Sequence, residues 1–140
     1  DSNQDFLHAR SRAVLGRYYA KISDNDLALL HYSGALDTLS DQNDPQSTVE
    51  VEMLLGQVLI DAGRREEAAE HYLNGLAIAE SNDFRMLLQG ELLARLGEVE
   101  SDRSQRMNYL QRSLSLFREL GAVGRMKEVQ NSVHRAVMGR

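Results

Sequence analysis

The chain has 140 residues, 42% hydrophobic and 26% charged, which is ordinary for one folded domain and unlike a disordered segment. It contains no cysteine, which excludes disulfides and thiolate chemistry and fits a reducing, cytoplasmic setting. A net charge of -5 argues against nucleic acid as a partner, since such binding works by neutralising phosphates, and apolar runs as short as Val58-Leu59-Ile60 argue against a membrane helix.

The first residue is Asp1 and no charged-then-apolar leader follows, so the chain reads as a piece of a longer protein. Its charge is uneven: -1 over residues 1–40, -7 over 41–80 and +3 over 81–140.

Asp1 to Ile22 is expected to be a helix, with Phe6, Leu7, Ala13, Val14, Leu15, Tyr18, Tyr19 and Ile22 spaced by threes and fours on one broad apolar face. Ser23 to Asp26 favours a turn. A second helix follows, with Leu27, Leu30, Tyr32, Leu36 and Leu39 inward. Pro45 suits a first helical turn, Ser47 and Glu50 are spaced as a capping box, and a third helix runs to Ala62, where Gly63 ends it in a left-handed conformation. Arg64 to Ser81 is the fourth helix, its early Glu66, Glu67 and Glu70 matching the positive end of the helix dipole. Asn82-Asp83 separates it from a fifth, Phe84 to about Glu100. A sixth covers Gln105 to Leu120 and stops at Gly121, and a last one, Ala122 to Met138, carries Val129, Val133 and Val137 on one stripe. No run alternates with a period of two, so the chain reads as helix hairpins.

These hairpins repeat. Leu15-Gly16 recurs 40 residues later as Leu55-Gly56, Ala28 as Ala68, His31-Tyr32 as His71-Tyr72 and Ala35-Leu36 as Gly75-Leu76, and a third pair stands at Leu96-Gly97. The small residues allow close approach of helix axes while Tyr19, Tyr32 and Tyr72 fill the space between hairpins. The pattern resembles the tetratricopeptide repeat (TPR): Leu15, Gly16, Tyr19, Ala28, Tyr32 and Ala35 in one unit, and Leu55, Gly56, Leu59, Ala68, Tyr72 and Gly75 in the next. The period of 40 exceeds the usual value of about 34 and is similar to the long-helix branch of that family. The third unit departs further. Glu100 replaces its aromatic, Leu110 stands for Tyr72 and the spacing to Ser113 is shorter, so it is expected to pack differently.

The resemblance implies an all-α, right-handed α-solenoid of about three TPR-like hairpins, at roughly 4–42, 45–81 and 84–120, closed by a capping helix at roughly 122–138. It also implies that the first helix of each pair lines a concave groove. Aligned on the Leu-Gly pairs, the groove positions are Arg10, Ala13, Arg17 and Lys21, then Glu50, Met53, Gln57 and Asp61, then Glu91, Ala94, Arg95 and Glu98, grading from basic to acidic. The family's clamp for a C-terminal carboxylate is largely missing, since Ala13, Arg17, Leu54, Glu91 and Arg95 stand in the comparable places.

Little else in the chain suggests chemistry. His31 and His71 share a repeat position, but stacked hairpins hold such positions about 10 Å apart, too far for one metal ion. No phosphate loop, nucleophile elbow or His-Glu metal helix is present, and nothing calls for a cofactor. The basic residues Arg103, Arg106, Arg112, Arg118, Arg125, Lys127, Arg135 and Arg140 are scattered around their helices with few aromatics between them and read as a solvated face. The expectation is a non-catalytic scaffold that binds a protein or peptide segment. Two alternatives are a regulatory module of a larger regulator, suggested by Leu116 to Ala122, and self-association through the ends of the array.

Overall fold

The computed structural model describes residues 2–82 and 86–139, apart from the side chain of Ser2; the expected helix start at Phe84, the break at Asp83 and the basic Arg140 lie outside the described residues. Seven helices follow one another: α1 (Ser2–Lys21), α2 (Asn25–Asp41), α3 (Pro45–Asp61), α4 (Arg65–Ser81), α5 (Met86–Val99), α6 (Arg103–Leu120) and α7 (Val123–Val137). No strand occurs among the described residues, and none of their helices is long and apolar enough to cross a membrane.

The 40-residue period has a local cause. Helices α2, α3 and α4 are each 17 residues long, and each of the links before them is three. In every link the middle residue is left-handed, Ser23 at φ 63°, Asn43 at φ 53° and Gly63 at φ 78°. The residue after it then donates its amide back to the finished helix, Asp24 to Tyr19 O at 2.9 Å, Asp44 to Leu39 O at 3.3 Å and Arg64 to Leu59 O at 2.8 Å. This is the Schellman ending, which satisfies carbonyls that the helix leaves open. The same residue starts the next helix: the Asp24 and Asp44 carboxylates each accept an amide three residues on, from Leu27 and Ser47, at 3.2 Å. Ser47 is therefore served by a cap and is not itself one, which corrects the capping-box reading.

By their contacts the residues divide into two compact units, Asp1–Ile78 and Ala79–Arg140. In the first, α1 pairs with α2 and α2 with α3, around Ala9, Ala28, Tyr32, Ala35, Leu39, Val51, Leu55 and Val58. Tyr32 and Tyr72 are only 1% exposed, each ring pressed on the glycine of the preceding helix: a Cβ on Gly16 would collide with Tyr32, and one on Gly56 with Tyr72. These contacts close the α1–α2 and α3–α4 hairpins. In the second unit, α5 packs on α6 and α6 on α7, around Ala94, Leu110, Phe117, Val129 and Ala136. The divergent third hairpin keeps the device, since a Cβ on Gly97 would collide with Leu110. Leucine does there what tyrosine does earlier. Ser113, buried, donates its hydroxyl to Gly90 O at 2.7 Å, a hydrogen bond at the small-residue position that the sequence comparison did not foresee.

The broad apolar face expected for α1 is only partly buried. Phe6, Ala13 and Tyr19 pack on the core, but Leu7, Val14, Leu15, Tyr18 and Ile22 are exposed. By contrast, Leu55 and Val58 of α3, the repeat equivalents of Leu15 and Tyr18, are buried against α2. Leu30, expected inward on α2, is likewise exposed.

Candidate functional site: two interhelical clefts

In the first unit, α1 and α3 are the first helices of successive hairpins, and a cleft of about 250 Å³ opens between them. Its walls hold Phe6, Ala9, Arg10, Ala13, Val14 and Arg17 of α1, and Ser47, Glu50, Val51 and Leu54 of α3, with Leu39 of α2 beneath. Ala9 and Val51 are buried, so the floor is apolar, while Arg10, Arg17 and Glu50 stand exposed at the rim. The Arg10 guanidinium lies 5.7 Å from the Phe6 ring centroid, within cation–π range. Arg17 is close enough to oppose the effect of burial, which pushes the Tyr32 phenol above its ordinary range.

Of the residues expected to line a groove, Arg10, Arg17 and Glu50 thus come together in one place. Met53 is half-buried elsewhere on α3, and Lys21 is exposed at the end of α1. Gln57 turns along its own helix, donating to the Asp61 carboxylate at 3.1 Å.

A cleft of similar volume, about 250 Å³, lies in the second unit between α5 and α7. Ala94 and Glu98 line it from α5; Arg125, Glu128, Val129, Asn131, Ser132 and Arg135 line it from α7. Glu91 is held in a two-pronged ion pair by Arg125, at 2.6 and 2.8 Å, and Arg125 also bonds to Glu128 and covers the Phe117 ring at 5.4 Å. Arg95 is half-buried on α5. Reading α7 only as a cap missed the contribution of this helix. The signal was available in spacing: Arg125, Glu128, Val129 and Ser132 follow left-handed Gly121 at the intervals by which Ser47, Glu50, Val51 and Leu54 follow left-handed Asn43. α7 therefore stands to α5 and α6 as α3 stands to α1 and α2.

The two histidines that share a repeat position have different partners. His71 Nδ1 lies 2.6 Å from the buried Glu52 carboxylate, a hydrogen bond that, with the nearby charges of Glu52, Glu70 and Glu67, raises the imidazole pKa against the opposing effect of burial. His31 instead stacks on Tyr19, ring centroids 5.4 Å apart and planes 4° from parallel. Among the described residues no three His, Cys, Asp or Glu side chains gather as metal ligands.

Helix hairpins with a small residue under each aromatic, joined by short links, define an all-α helical-repeat fold of the TPR-like, α-solenoid class. Among solved structures the chain is similar to the N-terminal domain of stress-induced protein-1 (STI-1) from C. elegans, with a TM-score of 0.71 and 22% sequence identity over 90% of this chain and 97% of that one. At that identity the likeness is one of fold. No family model matches the sequence, and no curated protein matches it.

Proposed function

We propose that the chain is a non-catalytic protein-interaction domain that takes a peptide or helical segment of a partner protein in the cleft between α1 and α3. The observation that carries this reading is the cleft's chemistry: an apolar floor of Ala9, Ala13, Val51 and Leu54 beneath two cations, Arg10 and Arg17, that form no ion pair among the described residues. Such a site suits a segment with an apolar side chain for the floor and carboxylates for the rim. The apolar contact supplies affinity, and the charges set orientation and association rate. Glu50 across the cleft disfavours a carboxylate on its own side and so fixes the direction in which the segment lies. The α5–α7 cleft is a weaker candidate, because its central cation, Arg125, is already engaged by Glu91 and Glu128.

An array of short peptides with systematically varied acidic and apolar positions tests the proposal when probed with the wild-type chain and with Arg17→Glu. Enrichment of acidic-apolar peptides on the wild type, lost with Arg17→Glu, is the expected result. No enrichment, or the same peptides retained by the variant, would sink it.

A further inference from the structure

The α1–α3 cleft also selects the conformation of what enters it. Among its lining residues only Arg10, Arg17, Ser47 and Glu50 are polar, and the three charged ones stand at the rim. The floor side chains Ala9, Ala13, Val51 and Leu54 offer no hydrogen-bond donor or acceptor, and their backbone groups are engaged inside α1 and α3. The Ser47 amide is taken by the Asp44 carboxylate at 3.2 Å, and Leu39 O by the Asp44 amide at 3.3 Å. An extended segment laid along this floor would bury its own amides and carbonyls without partners, which folded proteins avoid. A helix carries those hydrogen bonds within itself.

Spacing points the same way. Arg10 and Arg17 are two turns apart on α1, about 10.5 Å along its axis, and a helix places its residues i and i+7 at that same interval on one face. Residues on one face of a strand are separated by about 6.7 or 13 Å, and neither matches. Polyproline II comes closer, about 9 Å between i and i+3, but leaves every backbone group open. Between the arginines stands Ala13, with Ala9 one turn before it, so the α1 wall is low where a helix axis would approach. The chain's own helices do not supply such an occupant. Within the described helices the one pair of carboxylates seven residues apart is Glu91 and Glu98 of α5; Glu91 is held by Arg125, and Ala94 between them is buried. A second copy of the chain therefore fits poorly.

We infer, resting on the reading of this cleft as a protein-interaction site, that its occupant is an amphipathic α-helix of a partner protein, with carboxylates at i and i+7 and an aliphatic side chain at i+3 or i+4. The aliphatic group meets Ala9, Ala13, Val51 and Leu54, and the two carboxylates pair with Arg10 and Arg17.

Three synthetic peptides separate the conformations. The first is a hydrocarbon-stapled helix with Glu at i and i+7, Leu at i+3 and i+4, and otherwise Ala and Gln. The second moves one Glu from i+7 to i+5, off that face. The third is proline-containing and non-helical, with Glu at i and i+3 flanking Leu, and spans about the same distance when extended. Their binding is measured by calorimetry against the whole chain and against Arg17→Glu, a change at an exposed position. The first peptide is expected to bind one-to-one, roughly tenfold or more tighter than the other two, and to lose roughly tenfold in Arg17→Glu. Replacing one of its glutamates by Lys should recover part of that loss. The inference is overturned if the second or third peptide binds as tightly as the first; where Arg17→Glu still weakens that binding, the cleft reading stands without the helix. It is overturned as well if none of the three saturates up to about 1 mM; an acidic-apolar peptide from the array that still binds then spares the cleft reading, and the lack of one removes both. Sedimentation of the chain alone as a dimer that Arg17→Glu dissociates also overturns it, by giving the cleft to a second copy.

Discussion

A methyl group is the difference between glycine and alanine, and in this chain its effect changes sign with position. On Gly56 the added carbon would collide with the Tyr72 ring, which is itself fully buried. Alanine's better helix propensity, worth about 1 kcal/mol, is outweighed there, and Gly56→Ala is expected to destabilise by about 1–3 kcal/mol. On Gly124 of α7 no atom lies within 4 Å of the added carbon, so Gly124→Ala is expected to stabilise by roughly 0.5 kcal/mol. Urea midpoints of the two variants check both signs. The Glu52–His71 pair gives a prediction of another kind. Because the folded imidazole has a raised pKa, its stabilisation is fully present below the unfolded value of about 6.5 and is lost as pH rises through the folded value. The stability advantage of the wild type over His71→Gln should therefore shrink between acidic and alkaline pH in parallel urea titrations; a constant difference would mean that the pair does not charge.

At the scale of the element, the links carry most of the regularity. Ser23 and Asn43 hold the left-handed backbone that Gly63 and Gly121 hold without a side-chain penalty. Asn43→Gly is expected to stabilise, and Ser23→Gly more so, each by roughly 1 kcal/mol at most. Asp44→Ala removes the cap on α3 and should cost about 1 kcal/mol. At the start of α4 the equivalent residue is Arg64, which has an exposed ion pair with Glu67 in place of a cap, so Arg64→Asp should raise the melting temperature. Thermal melts of the four variants separate these effects. The helices themselves were legible from apolar spacing, and the hairpins from the 40-residue recurrence of Leu-Gly, Ala and His-Tyr. Two left-handed positions were not, because a serine and an asparagine carry no mark in sequence as strong as the glycines. Nor was the exposure of Leu7, Leu15 and Tyr18: periodicity identifies an apolar face but not whether a neighbour exists to cover it. The third hairpin looked aberrant because Leu110 replaced tyrosine, although a leucine can press on Gly97 in the same way.

At the scale of the whole molecule, the uneven charge acquires a location. The positive row of Arg10, Arg17 and Lys21 is confined to α1, while α3 beside it offers Glu50 and Asp61, so the α1–α3 cleft is polarised across its width. Alignment of repeats was enough to nominate Arg10, Arg17 and Glu50. It could not show that Gln57 folds onto Asp61 or that Arg125 claims Glu91, since those depend on rotamers and on a helix outside the aligned repeats. Polarisation predicts salt-sensitive binding, because rim charges act through a screened field. The most direct test is a nitrogen-15 chemical-shift titration of the whole chain with the tightest acidic-apolar peptide from the array. The account predicts that the largest shifts fall on Arg10, Ala13, Arg17, Glu50 and Leu54 and fade as salt is raised. Shifts centred elsewhere, or indifferent to salt, would contradict it.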